Sequence, residues 1–579
     1  MKRIFILFYA TAVSALLFSI SLFTLSFGVE ICAFPLMIVF TAIFAFVVLF
    51  KLKKEPTLGF VKAIKKLCEY APFVGIVAFV LRRAGVSETS YALDFISVVF
   101  WVLLLVFSSL SGYFLKDKRT PFAFKEDKKK KPLGRRIFFE IADWIDAFVQ
   151  AAFIVSFVNI FIFQLYAIPS ESMIPQFLIG DRVAVLKTAA GPSFPLSKVA
   201  LPRIASYKKG DIVVFRNPHY TVGRKYEVRT FVNQLVYMLT FSTVNLAYDE
   251  SGQMLADPLV KRIAGVPGEQ LVMVDGVLYS RTNTEKDFSP VALDAKFAEY
   301  NLNSLDSSIK RKIHDFPISE KDFISLCEIE SLRKNLDIEN AKLESLRISS
   351  KFNMLCTQLG SFKPFQNGEW QNFVLIKDLA VHKLFFNISN IDNLTQRLMT
   401  QEGGAVWFSA FMTDWASKCP AGTTPVADDP YKDSMYRLNI LMKLTLGKLV
   451  VHNIETYLNT GSFSSNDETR LQLTEDAQKL FKYSLFNDSR NMPVFPENKN
   501  GSPSYIEKNE YFLMGDNRFN SLDLRHSYEQ ILVPVSEEDI YSLSYCSRLE
   551  PQTINASRIL GVTILRFYPF NRFGLIQSK

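Results

Sequence analysis

The residues best suited to chemistry in this 579-residue chain are two serines in a turn-rich segment. Ser170 and Ser172 lie within residues 167–175, where Pro169 and Pro175 flank them directly after a long apolar stretch. A serine hydroxyl becomes an effective nucleophile only when a neighbouring base accepts its proton. Serine is a common residue, so the segment taken by itself fits a polar turn beside a membrane better than an active site.

Histidine is the usual base for a serine nucleophile, and the histidines of this chain form no paired motif and no triad motif. The five are His219, His314, His382, His452 and His526. A lysine can act as the base when burial removes water from its ammonium group and lowers its pKa from about 10.4 toward neutrality. Lys261 is the candidate, because strand-like apolar residues surround it just before a Gly-Val-Pro-Gly turn at residues 265–268.

Four short sequence blocks strengthen the interpretation of Ser172 and Lys261 as a nucleophile and its base. In chain order they are Pro-Ser-x-Ser-Met at 169–173, Gly-Asp-x-Val-Val-Phe at 210–215, Lys-Arg-x-x-Gly-x-Pro-Gly at 261–268 and Gly-Asp-Asn-Arg-x-Asn-Ser-x-Asp-x-Arg at 515–525. Residues 561–574 also look like a closing strand of the same pattern. The chain resembles the bacterial type I signal peptidases, which carry these blocks in this order and retain lysine where the endoplasmic-reticulum type has histidine.

The resemblance implies a role for each matching residue. Ser172 is the nucleophile, and Lys261 is the general base that later protonates the leaving amine. The backbone N–H of Ser172 and the hydroxyl of Ser170 stabilise the oxyanion of the tetrahedral intermediate. Three further residues are implied as supports of the dyad: Ser521, Asp523 and Arg525.

The supporting residues have different implied tasks. Ser521 hydrogen-bonds the lysine and fixes its rotamer, whereas Asp523 and Arg525 form an ion pair beneath the site that is interpreted as structural. The last block departs from the family pattern, because Phe519 replaces an acid and Leu524 replaces a serine. A glycine expected after the final arginine is also missing. These departures affect the expected hydrogen bonding beneath the dyad rather than the dyad itself.

Apolar stretches before residue 170 predict an α-helical membrane anchor. Hydrophobic residues make up 49% of the chain, with Phe occurring 52 times. About 20 apolar residues are needed to cross a bilayer, and the predicted spans are residues 4–27, 32–50, 68–81, 91–115 and 147–166, of which the third is short. Residues 1–136 are therefore predicted as a region of about four spans with basic cytoplasmic loops, and residues 137–166 as the last span.

The distribution of charge predicts the orientation of these spans. The formal net charge is +9, but the basic runs at 51–54, 62–66, 116–119 and 128–136 lie beside apolar segments rather than along one binding helix. Lys and Arg accumulate in cytoplasmic loops. Both lysine-rich loops fall inside only if all five segments cross, so the C-terminal part is expected on the outer face, and nucleic acid is not an expected partner.

Residues beyond 166 predict a mainly-β catalytic domain of the signal-peptidase type with a large mixed or helical insertion. Residues 167–282 and 506–579 are its two parts, with short β-rich runs separated by turns. Residues 283–505 form the predicted insertion, and smaller insertions are expected at 220–257 and 526–557. Within 220–257, the apolar run 231–241 could contact either the domain core or the membrane.

The longest predicted insertion contains leucines at helical spacing among charged neighbours. This pattern is interpreted as a helix packed on its own domain rather than as a partner-binding zipper. The leucines are Leu332, Leu336, Leu343 and Leu346.

The cysteines give no indication of a metal site. No Cys-x-x-Cys pair occurs and no histidine stands at ligand spacing, so neither a metal nor another cofactor is expected. Four of the six cysteines would lie in an oxidising compartment, where one or two disulfides could form with undetermined pairing. These four are Cys327, Cys356, Cys419 and Cys546.

The predicted function is endoproteolytic removal of signal peptides from exported preproteins at the outer face of the bacterial cytoplasmic membrane. The resemblance implies cleavage after Ala-x-Ala-like sequences held extended against a strand. Expected partners are preproteins and the bilayer, with the secretion machinery as a further candidate. Three alternatives stay open: a self-cleaving repressor of the LexA type, an inactive membrane scaffold with a degenerate peptidase core, and a binding protein that uses the insertion.

Overall fold

The computed structural model describes most of the chain. The described residues are 2–53, 57–85, 89–115, 122, 133–204, 206–219, 223–240, 243–244, 246, 257–294, 305–314, 318–359, 379–401, 403–463 and 467–576. They form an N-terminal group of apolar helices, a β body and a block of helices between two strands of that body.

The N-terminal helices match the predicted apolar stretches. They are α1 (Lys2–Ser21), α2 (Ala33–Phe46, continued by a π-helical segment Val47–Leu52), α3 (Leu58–Gly85), α4 (Tyr91–Phe114) and α5 (Leu133–Phe161). Four segments are long and apolar enough to cross a membrane, namely Lys2–Ser21, Val29–Leu52, Tyr91–Phe114 and Ile137–Phe161. Their large apolar side chains are extensively exposed, as expected where lipid rather than protein surrounds a helix.

The third predicted span, residues 68–81, lies within α3. This helix has 28 residues and contains Pro72 and several lysines, and it is not among the four segments that satisfy the length and hydropathy criteria. The basic end of α3 is neutralised in part, because the Arg83 Nε lies 3.3 Å from the Asp94 Oδ2 at the start of α4. The five-span topology therefore stays a prediction.

The last predicted span ends earlier than residue 166. Helix α5 stops at Phe161, and β1 (Phe163–Ala167) begins almost at once. The apolar run continues through both elements, and hydrophobicity alone does not separate the end of a helix from a buried strand. The buried Gln164 marks the change, because its Oε1 accepts a hydrogen bond of 3.2 Å from Lys187.

The β body contains an eight-stranded antiparallel sheet. Its strands are β1, β2 (Arg182–Leu186), β3 (Ile212–Phe215), β4 (Leu259–Gly265), β9 (Glu510–Met514), β12 (Ile554–Asn555), β13 (Ile559–Tyr568) and β14 (Gly574–Leu575). The order is β1-β2-β13-β3-β4-β9-β12, with β14 paired to β13. The predicted closing strand thus lies between β2 and β3, which joins the two parts of the domain in one sheet.

A second, four-stranded sheet shifts the predicted boundaries of the long insertion. It consists of β5 (Glu269–Val274), β6 (Val277–Thr282), β7 (Ser289–Pro290) and β8 (Met492–Phe495), in the order β7-β6-β5-β8. The β body therefore continues past residue 282 and resumes before residue 506. Composition did not locate these ends because both flanking strands are short.

The helical block occupies the chain between β7 and β8. Its helices are α7 (Ser307–Lys310), α8 (Glu320–Lys334), α9 (Ile338–Gln358), α10 (Val381–Leu384), α11 (Ser389–Thr400), α12 (Gly404–Lys418), α13 (Pro430–Thr460) and α14 (Glu468–Arg490). A hairpin formed by β10 (His526–Pro534) and β11 (Ser544–Leu549) packs against these helices. Val535, Leu543 and Tyr545 of this hairpin segment are buried in the same apolar core as the helices.

The leucines lie on or between two helices that both pack on the helical block, as expected, but three of the four leucines do not face its core. The leucine pattern is divided by the junction between α8 and α9. Asp337 marks the start of α9, because its carboxylate caps this helix by accepting hydrogen bonds from the backbone N–H groups of Glu339 and Asn340. Leu336 in this junction is half-buried against the helical core. The other three are 50% exposed or more: Leu332, Leu343 and Leu346.

The smaller predicted insertion at 220–257 contains α6 (Arg224–Leu239). Phe231 of this helix packs against the apolar cluster that includes Trp101 of α4 and Phe161 of α5. Phe231 therefore contacts the membrane-helix group, Phe241 lies outside the described residues, and the choice between the domain core and the membrane stays open.

No disulfide joins any two of the six cysteines, all of which lie in the described part of the chain. The four cysteines considered for disulfides lie on different elements. The Cys546 Sγ is 3.7 Å from the His382 Nδ1, and the Cys419 Sγ is 3.8 Å from the Tyr436 hydroxyl. The disulfides that these cysteines could form are therefore absent from this structure.

A buried ion pair connects the hairpin to the helical block. Lys443 and Asp539 are both fully buried and in contact, and Lys443 also donates a hydrogen bond of 2.9 Å to the Phe411 carbonyl. We expect Asp539→Ala to lower the free energy of unfolding by about 3–5 kcal/mol, because it leaves a buried ammonium without its counter-charge. Thermal unfolding of the detergent-solubilised protein measures this effect.

Two further variants complete this test. Glu537→Ala, at an exposed neighbouring acid, is expected to unfold at the wild-type temperature. The double variant Lys443→Met, Asp539→Leu is expected to recover most of the loss, since replacing both members of a buried pair by apolar residues is often neutral. Equal unfolding temperatures for Asp539→Ala and Glu537→Ala would contradict the prediction.

Candidate active site

Ser172 and Lys261 meet at the point where β4 faces the turn that follows β1. The Lys261 Nζ lies 2.7 Å from the Ser172 Oγ, within hydrogen-bonding distance. β4 supplies the lysine from a strand that pairs with β3, with Lys261 opposite Val213. Two residues that are distant in sequence are thus brought into direct contact by the pairing of the central strands.

The environment of the lysine favours its neutral form. Lys261 is 3% exposed, and this burial lowers its pKa to about 8, although the negative charges of Asp523 and Asp516 oppose the shift. An amine with a pKa of about 8 is unprotonated in about a tenth of molecules at pH 7, far more often than a lysine in water. Such an amine can accept the proton of a neighbouring hydroxyl.

Ser170 lies beside the nucleophile candidate. Its hydroxyl is exposed and donates a hydrogen bond of 3.3 Å to the Ser172 Oγ. The serine is therefore placed where its hydroxyl could turn toward a charge that develops on a substrate bound at Ser172.

The block at 515–525 holds the backbone of the nucleophile segment. The Asn517 N–H donates a hydrogen bond of 3.1 Å to the Ser172 carbonyl, and the Asn517 side-chain amide donates one of 3.2 Å to the Glu171 carbonyl. Gly515 permits this approach, because a Cβ at that position would lie 2.7 Å from the Ser172 carbonyl oxygen. The need for glycine here is a consequence of close backbone contact.

The predicted ion pair beneath the site is present. The Arg525 Nε lies 2.8 Å from the Asp523 Oδ1, and both side chains are fully buried. The expected hydrogen bond between Ser521 and the lysine is absent among the described residues. The Ser521 hydroxyl instead donates to the Asp523 Oδ2 at 2.9 Å, because the carboxylate is the stronger acceptor within reach.

Arg262 is a supporting residue that the sequence reasoning did not assign. It follows Lys261 and forms a bidentate, buried ion pair with Asp516, with both N–O distances at 2.7 Å. Its third nitrogen donates a hydrogen bond of 2.8 Å to the Gly210 carbonyl. Arg262 thus joins three of the four sequence blocks, and its place beside the lysine in the third block was the available signal.

Phe519, which departs from the family pattern, contacts the helical block. Its ring makes edge-to-face contacts with two phenylalanines of that block. The distance between ring centroids is 6.2 Å to Phe323 of α8 and 5.7 Å to Phe486 of α14. The neighbouring Arg518 is buried and forms an ion pair with Asp294, at the end of the described segment after β7. The other departure, Leu524, is buried in the apolar core of the β body.

The segment after the nucleophile also contacts the helical block. The Glu171 Oε1 accepts a hydrogen bond of 2.6 Å from the His314 backbone N–H. Ile174 and Leu178 pack against Ile313 in a small buried cluster. Sequence reasoning missed these contacts, because no local pattern links residues about 140 positions apart.

The histidines do not form a base for Ser172. His526 is the one nearest the supporting carboxylate, 3.6 Å from Asp523, and burial lowers its pKa to about 4. Its Nε2 lies 3.4 Å from the Asp488 carbonyl rather than near the serine. Lysine is therefore the base candidate that the geometry supports.

A groove of about 530 Å³ opens beside the dyad. β1 and the segment from Asp257 to Lys261 form two of its sides, and α6 forms a third. Clefts of roughly 300–1,000 Å³ commonly bind ligands. The groove therefore offers a site for a chain that approaches Ser172.

Comparison with known proteins finds related sequences. Residues 141–318 match the family model described as signal peptidase, peptidase S26. The chain contains a peptidase S26 domain. The match covers most of α5 and the first three of the four sequence blocks, whereas the block at 515–525 lies beyond it. The sequence resemblance to signal peptidases is thus confirmed at the level of the family.

Curated relatives named Signal peptidase I are similar to parts of the chain. One from Buchnera aphidicola subsp. Baizongia pistaciae is 32% identical over 119 residues, which are 20% of this chain and 36% of that protein. Another from Buchnera aphidicola subsp. Schizaphis graminum is 39% identical over 66 residues, covering 11% of this chain and 21% of that protein. The chain thus spans about a third or less of these two relatives.

A third relative is similar over a longer part of the chain. Signal peptidase I from Haemophilus influenzae is 23% identical over 257 residues, which are 42% of this chain and 70% of that protein. No solved structure matches the chain significantly.

The close approach at Gly515 provides a test of the site's packing. We expect Gly515→Ala to lower the free energy of unfolding by about 1–3 kcal/mol, because the added methyl overlaps Ser521 and the Ser172 backbone. Thermal unfolding measures this change. Gly574→Ala is the matched control, since nothing lies within 4 Å of a Cβ there. An unfolding temperature equal to that of the control would be inconsistent with the packing described.

Proposed function

We propose that this protein is a type I signal peptidase that cleaves preproteins by means of a Ser172/Lys261 dyad. The observation that carries the proposal is the 2.7 Å contact between the Ser172 hydroxyl and the buried Lys261 amine. The peptidase S26 domain provides the family context for this chemistry.

The proposed reaction begins with proton transfer from Ser172 to the neutral Lys261 amine. The serine oxygen attacks the scissile carbonyl carbon, and the resulting oxyanion is stabilised by the Ser172 backbone N–H and the Ser170 hydroxyl. Lys261 then donates its proton to the leaving amine, which releases the mature protein and leaves an acyl-enzyme. Water, deprotonated by Lys261, attacks the ester carbonyl, and the proton returns to Ser172 as the signal peptide leaves.

Strand addition is the proposed mode of substrate binding. β1 is an edge strand of the eight-stranded sheet, and residues 257–261 border the same groove from the other side. An extended chain between them can form backbone hydrogen bonds without regard to most side chains. This mode suits a peptidase whose substrates share only a short cleavage sequence, and preproteins are the proposed partners.

The proposed location is the bacterial cytoplasmic membrane, with the β body on the outer face. Five crossings are required if the N-terminus is inside, so α3 must also cross. Its packing supports this, because Ala71 and Phe79 of α3 lie in one buried apolar cluster with Trp101 of α4.

The helical block is proposed as an insertion into the peptidase fold, with residues 220–257 and 526–557 as smaller ones. An inactive scaffold is the second candidate function, since the block is large and several of its apolar side chains are exposed. The intact contact between Ser172 and Lys261 favours the peptidase, because a scaffold does not require a dehydrated amine beside a serine.

Variants of the dyad test the proposal. We expect Ser172→Ala and Lys261→Ala each to abolish cleavage of a purified preprotein by the full-length protein in detergent. Lys261→Arg is expected to be equally inactive, because guanidinium does not lose its proton at workable pH. Ser170→Ala is expected to retain activity reduced by roughly 100-fold, the usual effect of removing one oxyanion donor.

The readout is the rate of appearance of the processed product on gels under single-turnover conditions. Thermal unfolding of each variant serves as the control for folding. Wild-type activity in Lys261→Ala would overturn the assignment of the base, whereas wild-type activity in Ser172→Ala would overturn that of the nucleophile.

The pH dependence follows from the state of the amine. The pKa of Lys261 is lowered to about 8, and only the neutral amine accepts a proton. We therefore expect kcat/KM to rise about tenfold per pH unit below pH 8 and to level off above it, since this profile reports the free enzyme's base. Cleavage rates measured from pH 6 to 10, with unfolding temperatures in the same buffers as the control, test this. A flat profile between pH 6 and 9 would exclude Lys261 as the base.

A further inference from the structure

Helix α6 presents one of its faces to the groove beside the dyad. The residues on this face recur at helical spacing and line the groove: Tyr226, Arg229, Thr230, Asn233, Gln234 and Tyr237. Phe231 packs against the membrane-helix cluster, and Met238 is buried. These contacts fix the rotation of α6, so the groove-facing stripe is a property of the packed helix.

The groove has walls of two different chemistries. Tyr166, Ile168, Met173 and Val260 line it and belong to one apolar cluster of the β body. The α6 stripe contributes hydroxyl, amide and guanidinium groups instead. A ligand between these walls therefore meets apolar surface on one side and polar surface on the other.

Two polar groups of the stripe are available to a ligand. Within the described part of the chain, the Arg229 side chain is exposed and has no ion pair or hydrogen bond, and the buried Tyr237 hydroxyl has no hydrogen-bond partner. The acidic residue that lines the groove, Asp257, already accepts hydrogen bonds from other residues of the protein. Asp257 accepts hydrogen bonds of 2.8 Å from the Asn217 backbone and 3.3 Å from the Tyr226 hydroxyl.

An extended chain divides its side chains between two such walls. Successive residues of a strand point to opposite faces, so small apolar residues at alternate positions can contact the apolar wall. The residue between them then points toward α6. In an Ala-x-Ala sequence, this is the residue x.

We propose that α6 forms a subsite that selects the side chain x between the two small residues of the cleavage sequence. Arg229 makes this subsite favour an acidic or uncharged polar residue over lysine. The inference rests on the proposed function, because it presupposes a preprotein chain extended through the groove.

Peptide binding to the full-length Ser172→Ala protein in detergent tests the subsite without cleavage. Fluorescent peptides that differ only in x, as Asp, Gln or Lys, are titrated and their Kd values measured by anisotropy. We expect the Asp peptide to bind about fivefold more tightly than the Lys peptide, the upper range for one partly exposed charge pair. Arg229→Glu is expected to invert this preference.

Lys225→Glu is the matched control, because it reverses the same charge on an exposed residue of α6 outside the groove stripe. It is expected to keep the wild-type preference for Asp over Lys. Equal ratios in Arg229→Glu and Lys225→Glu would overturn the subsite, as would the absence of binding by all three peptides.

Cleavage of the same peptides by the protein with intact Ser172 separates the two proposals. Binding that depends on Arg229 without any cleavage contradicts the proposed function and supports the subsite. Cleavage that requires Ser172 but is insensitive to Arg229→Glu supports the proposed function and overturns the subsite.

Discussion

The desolvation of the Lys261 ammonium group is the constraint on which the rest of the structure depends. A lysine in water keeps its proton at neutral pH, and removal of that water is what makes it a base. Burial of Lys261 also buries the charges around it, which must then be paired. Arg262 pairs with Asp516, and Asp523 pairs with Arg525, with both pairs almost fully removed from solvent. Because each pair is nearly neutral as a unit, burial remains the dominant influence on the lysine.

The same constraint explains why the helical block is part of the site's support rather than a separable module. The chain at 515–525 must hold the nucleophile backbone, and Phe519 of this chain packs on the helices. On the other side of the nucleophile, Glu171 is held by the His314 backbone. Deletion of residues 283–505 would remove Asp294 and leave the buried Arg518 without its counter-charge. Loss of activity after such a deletion would therefore reflect damage to the support, not only loss of a recognition surface.

The sequence predicted those candidate site residues that lie within short contiguous motifs. Ser172 and Lys261 were identifiable because residue type, local turns and block order all restrict them. The partner of Ser521 was not, because the choice between an amine and a carboxylate depends on backbone positions set by residues far along the chain. The mainly-β body and the apolar helices were predictable from periodicity, whereas the exposure of Leu343 depends on which face of a helix the fold covers. The strand β1 was missed because its apolar residues continue the pattern of α5.

The position of β1 determines how far the Ser172/Lys261 pair lies from the end of α5. α5 ends at Phe161, and β1 covers about 17 Å if each of its five residues advances about 3.3 Å. The turn that carries Ser172 follows directly, so the dyad lies roughly one strand length beyond the end of the helix. An extended segment of about five or six residues spans the same distance. If α5 crosses the bilayer and the proposed function holds, a substrate whose apolar helix stays in the membrane reaches Ser172 only through an extended segment of about this length. The length of β1 would then determine the position of the cleaved bond relative to the membrane.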